Sequence, residues 1–210
     1  MIKHTLELVA YGPVIPVIVL QRLEHAVPMA RALVEGGIHV LEVTLRTPAA
    51  VACIEAIARH VPEVVLGAGT LRSAADVRVA REAGCQFGVS PGYSAAIAAA
   101  CREAQLPLLP GVATASEVMA ANADGLSFLK FFPAVTAGGI GMLKALAGPF
   151  PDVAFCPTGG VTIETAPQFL ALANVKVCGG SWLTPADALV GGDWARITKL
   201  AREASALGTC

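Results

Sequence analysis

A single (β/α)8 TIM barrel spanning residues 1–210 is the fold the sequence predicts, and three observations predict it. Short β-branched runs alternate with Ala-rich segments of helical period along the whole chain. The centres of the runs recur at intervals of roughly 20 to 26 residues, about one strand-plus-helix unit, eight times over. The 210 residues, 55% hydrophobic and only 15% charged, suit one large core and show no linker or low-complexity stretch.

The strands are expected in VIPVIVL around Val17, VLEVTL around Val43, VVLGAG around Leu66, FGVS around Val89, PLLPG around Leu109, FLKFF around Lys130, AFCPT around Phe155 and VKVCG around Val177. The intervening helices are predicted over 23–36, 48–60, 73–84, 94–104, 115–124, 139–147, 163–172 and 185–205. Gly36, Gly84 and Gly125 stand where helices should stop, and Pro48 and Pro185 where helices start. An open doubly wound sheet is the alternative, but its dinucleotide fingerprint is missing: Gly67-Ala-Gly69-Thr-Leu-Arg72 has Arg at the third glycine position.

Composition excludes several function classes. The mean hydropathy of +0.64 rules out disorder and raises the question of a membrane. The longest apolar runs, 14–20 and 95–101, have seven residues each, far short of the roughly 18 to 20 that span a bilayer. Fifteen Lys and Arg against sixteen Asp and Glu, scattered singly, leave no basic patch for nucleic acid or an anionic membrane. Glu7 falls where a secretory signal would need an apolar segment, and no small-residue cleavage site follows, so a cytoplasmic protein is expected. Cys53, Cys85, Cys101, Cys156, Cys178 and Cys210 form no CxxC pair and read as reduced thiols, mostly buried.

The ionisable residues on strands carry the chemistry. In LEVTLRT, Leu41, Val43 and Leu45 share one face, so Glu42, Thr44 and Arg46 share the other and point into the barrel, with Arg46 toward the end where barrel chemistry sits. A structural ion pair would account for such charges; so would a site. In FLKFFP, Lys130 is flanked by Phe128, Leu129, Phe131 and Phe132, so its stem must be desolvated. Desolvation disfavours an ammonium, and a neutral amine attacks carbonyl carbon to form a Schiff base. The plainer reading pairs Lys130 with Glu42 and stops there. The other lysines, Lys3, Lys144, Lys176 and Lys199, read as solvated charge.

Two glycine-rich turns, CPTGG (156–160) and CGGS (178–181), follow the last two strands, the usual phosphate position of this fold, where converging backbone N–H groups bind an anion. His4, His25, His39 and His60 all fall away from the strand C-termini, so no metal cofactor is expected, and neither a Ser-His-Asp arrangement nor GxxxxGK[ST] is present. With no other base placed there, Glu42 is the candidate for proton transfer.

The ordered motifs PVIPVIVL, LEVTLRT, GAGT, SPG, PGVAT, FLKFFPA, GPFPDVAFCPTGG and CGGSWL resemble those of the bacterial 2-keto-3-deoxy-6-phosphogluconate (KDPG) aldolase and 4-hydroxy-2-oxoglutarate aldolase family over nearly the whole chain. The resemblance implies a cofactor-free class I aldolase of the Entner-Doudoroff pathway, with Lys130 as Schiff-base lysine and Glu42 as proton shuttle. Arg46 and Thr70 would hold the pyruvate carboxylate, Pro91 and Phe132 would line the pocket, and Gly159, Gly160, Gly180 and Ser181 would surround the phosphate. It further implies a homotrimer and a short extra N-terminal helix over 2–9 closing the barrel bottom. Val135-Thr136-Ala137 and Gly141 are less polar than the family pattern, which bears on the choice among KDPG, its galactonate epimer and 4-hydroxy-2-oxoglutarate. A non-catalytic phosphometabolite-binding barrel, in which Lys130 and Glu42 are only an ion pair, is the reading from another class.

Overall fold

Alternation of side chains along each strand sorts the apolar residues of this chain onto two faces, and both faces are buried. In the computed structural model, which describes residues 2–208, the strands are β1 (Val14–Ile18), β2 (Val40–Thr44), β3 (Val65–Gly69), β4 (Phe87–Val89), β5 (Leu108–Leu109), β6 (Gly111–Val112), β7 (Phe128–Phe131), β8 (Ala154–Pro157) and β9 (Cys178–Gly180). They form a curled parallel sheet in two hydrogen-bonded parts, ordered β5-β4-β3-β2-β1-β9 and β6-β7-β8. Isolated parallel bridges Phe155 to Val175 and Thr158 to Gly179 link the β8 segment to the β9 segment.

Nine α-helices lie among the described residues: α1 (Ala26–Glu35), α2 (Ala50–His60), α3 (Ala74–Glu82), α4 (Ala95–Glu103), α5 (Ala115–Ala123), α6 (Gly139–Ala147), α7 (Ala166–Leu170), α8 (Ala186–Gly191) and α9 (Trp194–Ser205). Local chemistry fixes several starts. Ser73 Oγ accepts the Asp76 N–H ahead of α3, and Thr114 with Glu117 forms a reciprocal capping box ahead of α5. Gly84 and Gly125 follow α3 and α5 with φ of 98° and 83°, the left-handed stop read from the sequence.

The differences from the expected elements have local causes. Pro110, which cannot donate a ladder hydrogen bond, divides the PLLPG strand into β5 and β6. The helix expected over 185–205 is two helices, because Gly192 turns left-handed at φ 65° and the Asp193 carboxylate starts α9 by accepting the Arg196 N–H at 3.1 Å. Residues 23–25 form a 3-10 turn ahead of α1, and α2 begins at Ala50, two residues after Pro48. The helix expected over 163–172 shortens to α7, after a hydrogen-bonded turn between Thr162 and Thr165. Of the VKVCG strand only the CG portion joins the β9 ladder, Val175 making an isolated bridge. The N-terminal helix expected over 2–9 is a 3-10 helix, Thr5–Tyr11, in which Glu7 Oε1 accepts the His4 N–H at 3.1 Å.

Leu41 and Val43 pack outward with the large cluster that includes Leu33, Ile54 and Ile57 of α1 and α2. The opposite face supplies an interior cluster in which Ile15, Val40, Val65, Phe87, Leu109 and Phe128 come from successive strands, joined by Ile2 and Leu8 from the N-terminal segment. That segment therefore seals one end of the interior. α1 and α9 approach so closely that a Cβ at Gly36 would lie 2.7 Å from the Thr198 carbonyl oxygen. Cys53, Cys85, Cys101, Cys156 and Cys178 are free and buried, as read from the sequence; Cys210 lies outside the described residues.

Leu8 and Leu6 test the seal. Leu8 is fully buried and Leu6 is 50% exposed, so Leu8→Ala is expected to lower unfolding free energy by about 2–5 kcal/mol and Leu6→Ala by less than about 0.5 kcal/mol, measured by urea denaturation.

Candidate active site

Glu42 and Lys130 are the two charged side chains buried among the described residues, 3% and 6% exposed, and they meet. Lys130 Nζ lies 3.3 Å from Glu42 Oε1 and donates to it. Glu42 comes from β2 in the six-stranded part of the sheet and Lys130 from β7 in the three-stranded part, so the pair spans the interior between them. Both face inward because they share parity with apolar interior residues, Glu42 with Val40 and Lys130 with Phe128.

The space for this pair is made by glycines. A Cβ at Gly69 would stand 2.8 Å from Glu42 Cγ and 2.9 Å from its Cδ. At Gly111, opposite Lys130 in register, a Cβ would stand 2.9 Å from Gly92 N, so the backbone of the loop after β4 leans over the strand there. This brings Pro91, whose own ring is exposed, to the lysine's side of the interior. The Phe132 ring centroid is 5.2 Å from Lys130 Nζ, within range for a cation–π contact, and the Phe132–Pro133 peptide bond is cis.

Arg46 is placed differently from the expectation. β2 ends at Thr44, so strand alternation no longer governs Arg46, which is exposed at the rim, its N–H bonded to Thr44 O at 2.8 Å. Its guanidinium has no hydrogen-bond or ion-pair partner among the described residues, and the partner of Glu42 is Lys130. Thr44 does face inward, but its hydroxyl is committed to Ile18 O at 2.9 Å. Thr70, next after Gly69, is held at φ 65°, a strained conformation for a β-branched residue of the kind that collects at functional sites.

The two glycine turns come together as expected. The Thr158 to Gly179 bridge sets the end of β8 beside β9. Gly159 and Gly160 adopt φ of 100° and 79°, and the N–H groups of Gly160 and Ser181 donate no hydrogen bond among the described residues. The loop after β7 is tied to this turn: Ala134 and Val135 N–H donate to Thr158 O at 2.8 Å and Gly159 O at 3.1 Å. Val135 is exposed, and a Cβ at Gly160 would stand 2.9 Å from its Cβ. Gly180 closes β9 and Ser181 is exposed just beyond it.

Thr158 and Cys156 were missed as interior groups. Both point inward from β8 and its end, Cys156 opposite Lys130 in register, with Cys156 Sγ 3.8 Å from Thr158 Oγ1. Their signal lay inside CPTGG, read only as a turn; counting alternate residues back from Thr158 would have found them. Burial pushes the Cys156 thiol up to about 12, against lowering by the Thr158 hydroxyl and Lys130. Among the described residues no three His, Cys, Asp or Glu side chains converge as a metal site requires.

A family profile described as "Aldolase: KDPG and KHG aldolase" matches residues 6–200. The chain belongs to the KDPG and KHG aldolase family. It is 55% identical over 193 residues to the KHG/KDPG aldolase of Escherichia coli K12, covering 92% of this chain and 91% of that one. The KDPG aldolase of Legionella pneumophila, solved with pyruvate captured as a covalent carbinolamine, is 46% identical with a TM-score of 0.92, covering 94% and 96% of the two chains. The Zymomonas mobilis ZM4 enzyme, solved with 3-phosphoglycerate, is 45% identical with the same TM-score, covering 99% and 97%. The aldolase family frames the geometry above: a buried lysine beside a carboxylate, with two glycine-rich turns nearby.

The Cys156 thiol gives a prediction with a definite sign. Its folded value of about 12 lies above the ordinary 9.0, so its contribution to stability is complete below pH 9 and is lost as pH rises from there toward about 12. Urea midpoints should fall over that range, and fall less steeply in Cys156→Ala, Cys85 with its own thiol at about 12 supplying part of the remainder.

Proposed function

We propose that this protein is a class I aldolase that cleaves 2-dehydro-3-deoxy-6-phosphogluconate to pyruvate and glyceraldehyde 3-phosphate through a Schiff base on Lys130. The observation that carries the reading is the buried contact of Lys130 Nζ with Glu42 Oε1. A lysine held out of water against a carboxylate has a proton acceptor at hydrogen-bond distance and no solvent to compete for it. Passing the proton to Glu42 frees the amine lone pair, which attacks the C2 carbonyl of the keto acid to give a carbinolamine. Glu42 returns the proton to the carbinolamine hydroxyl, water leaves, and the iminium draws in the electrons of the C3–C4 bond as a base removes the C4 hydroxyl proton. The phosphorylated aldehyde departs, the enamine is protonated at C3, and water releases pyruvate and regenerates Lys130.

The other assignments follow from position. Arg46, at the rim with its guanidinium unpaired among the described residues, grips the substrate carboxylate in a bidentate contact, with Thr70 beside it. Phe132 and Pro91 flank the lysine. The N–H groups of Gly160 and Ser181, with Gly159, Gly180 and the Ser181 hydroxyl, cradle the phosphate. The bridges between the β8 and β9 segments, with the short Pro110 break between β5 and β6, support closure of the sheet into a (β/α)8 barrel. Homotrimeric assembly and cytoplasmic location complete the reading and rest on the family resemblance; no helix among the described residues is long and apolar enough to cross a membrane.

Incubation with pyruvate and borohydride is expected to add one stable adduct, mapping to Lys130, and Lys130→Met should abolish both adduct and cleavage; a wild-type chain with no adduct would sink the Schiff-base reading in favour of a phosphometabolite-binding barrel. Ser181→Ala should lower kcat/KM for the phosphorylated substrate several-fold, about 1 kcal/mol for one hydrogen bond, while leaving 4-hydroxy-2-oxoglutarate unaffected. Equal loss on both would place the phosphate elsewhere.

A further inference from the structure

We propose that Gly69 is a positioning residue that sets the reach of the Glu42 carboxylate toward Lys130, an inference that rests on Glu42 carrying protons in the reaction. The inward positions flanking Glu42 on the adjacent strand are both glycines, Gly67 directly opposite it in register and Gly69 opposite Thr44. They are occupied differently. The room beside Gly67 is taken by the Phe87 ring, which a Cβ there would strike at 2.5 Å or less. The room beside Gly69 is taken by Glu42 itself: a Cβ would stand 2.8 Å from Cγ, 2.9 Å from Cδ and closer still to Oε1. The side chain of Glu42 thus slants one pleat along β3, toward the strand ends, and lies over bare backbone. The oxygen that would meet a methyl group at Gly69 is the same Oε1 that accepts from Lys130 Nζ at 3.3 Å.

Backbone conformation does not demand glycine here, because Gly69 is not among the residues at positive φ. Space demands it. Contacts under 3.0 Å to a Cβ are relieved only by movement, and the neighbouring slot is closed by Phe87, so a methyl at position 69 displaces the carboxylate from its contact with the lysine. Gly67 provides the control: the same substitution there presses on an apolar ring, not on the carboxylate.

Gly69→Ala is therefore expected to reproduce the defect of Glu42→Gln. The KM should stay near that of the wild type while kcat and the exchange of pyruvate C3 protons into deuterated water fall on the order of 100-fold, the usual contribution of one positioned acid–base group. The limb of the pH–rate profile that reports the carboxyl should shift. Gly67→Ala should lose stability yet keep that limb. The double variant Gly69→Ala/Glu42→Gln should be no slower than Glu42→Gln alone, since the glycine acts through the carboxylate. Multiplied losses in the double variant, or wild-type exchange in Gly69→Ala beside an impaired Glu42→Gln, overturn the proposal only. Full activity in Glu42→Gln overturns the reading of Glu42 and the proposal with it. Should Gly69→Ala fail to fold, stability relative to Glu42→Ala decides: Gly69→Ala/Glu42→Ala matches Glu42→Ala alone if the carboxylate is what the methyl meets, and a further loss in the double variant overturns the proposal.

Discussion

A buried ammonium and a buried carboxylate, each costly to remove from water, are tolerable in this interior because they face each other. Once paired across 3.3 Å, neither can be moved cheaply: removing one partner of such a pair commonly costs about 3–5 kcal/mol, because the other is left as an unpaired buried charge. The constraint spreads outward from there. β2 and β7 must be held at a fixed separation, Gly69 and Gly111 must stay bare, and water must be kept from the apolar end of the interior. Cys156, opposite Lys130 in register, keeps its thiol proton and so adds no third charge.

The interior is accordingly divided along its length. One end is a dry cluster of Ile15, Val40, Val65, Phe87 and Phe128, sealed by Leu8 of the N-terminal segment. The other end carries Glu42, Lys130 and Thr158 and opens at the strand C-termini, where Arg46 and Ser181 are exposed. The low dielectric supplied by the dry end strengthens every electrostatic contact at the polar end. The backbone bonds from Ala134 and Val135 to Thr158 and Gly159 couple the loop beside the lysine to the glycine turn. The two ends of an elongated substrate would then be gripped by one connected frame.

Much of this was legible in the sequence. Strand alternation placed Glu42 and Thr44 inward, and the apolar and aromatic flanks of Lys130 announced its burial, because both signals are local. Arg46 was misjudged by the same rule, applied two residues past the point where the ladder ends. A strand's end is set by pairing with its neighbours, which a single segment does not reveal. The split at Gly192 was readable as a glycine pair followed by an N-cap aspartate but was outweighed by helical period on both sides. The strain at Thr70 and the roles of Gly67, Gly69 and Gly111 depend on what lies across the sheet, so glycine in a strand signalled close approach without naming what approaches.

Proton traffic in a site closed at one end has to conserve local charge. In the proposed reaction Lys130 gives its proton to Glu42, so that an ion pair becomes an amine and an acid, and the interior remains neutral in both states. No counter-ion and no ordered column of water is needed to compensate the step. In the proposed reading the substrate's own charges are met elsewhere, the carboxylate by Arg46 at the rim and the phosphate by backbone N–H dipoles that bring no net charge into the interior. A chain with so few ionisable groups can therefore run acid–base chemistry in an apolar core, provided that the two it buries stay within one hydrogen bond of each other.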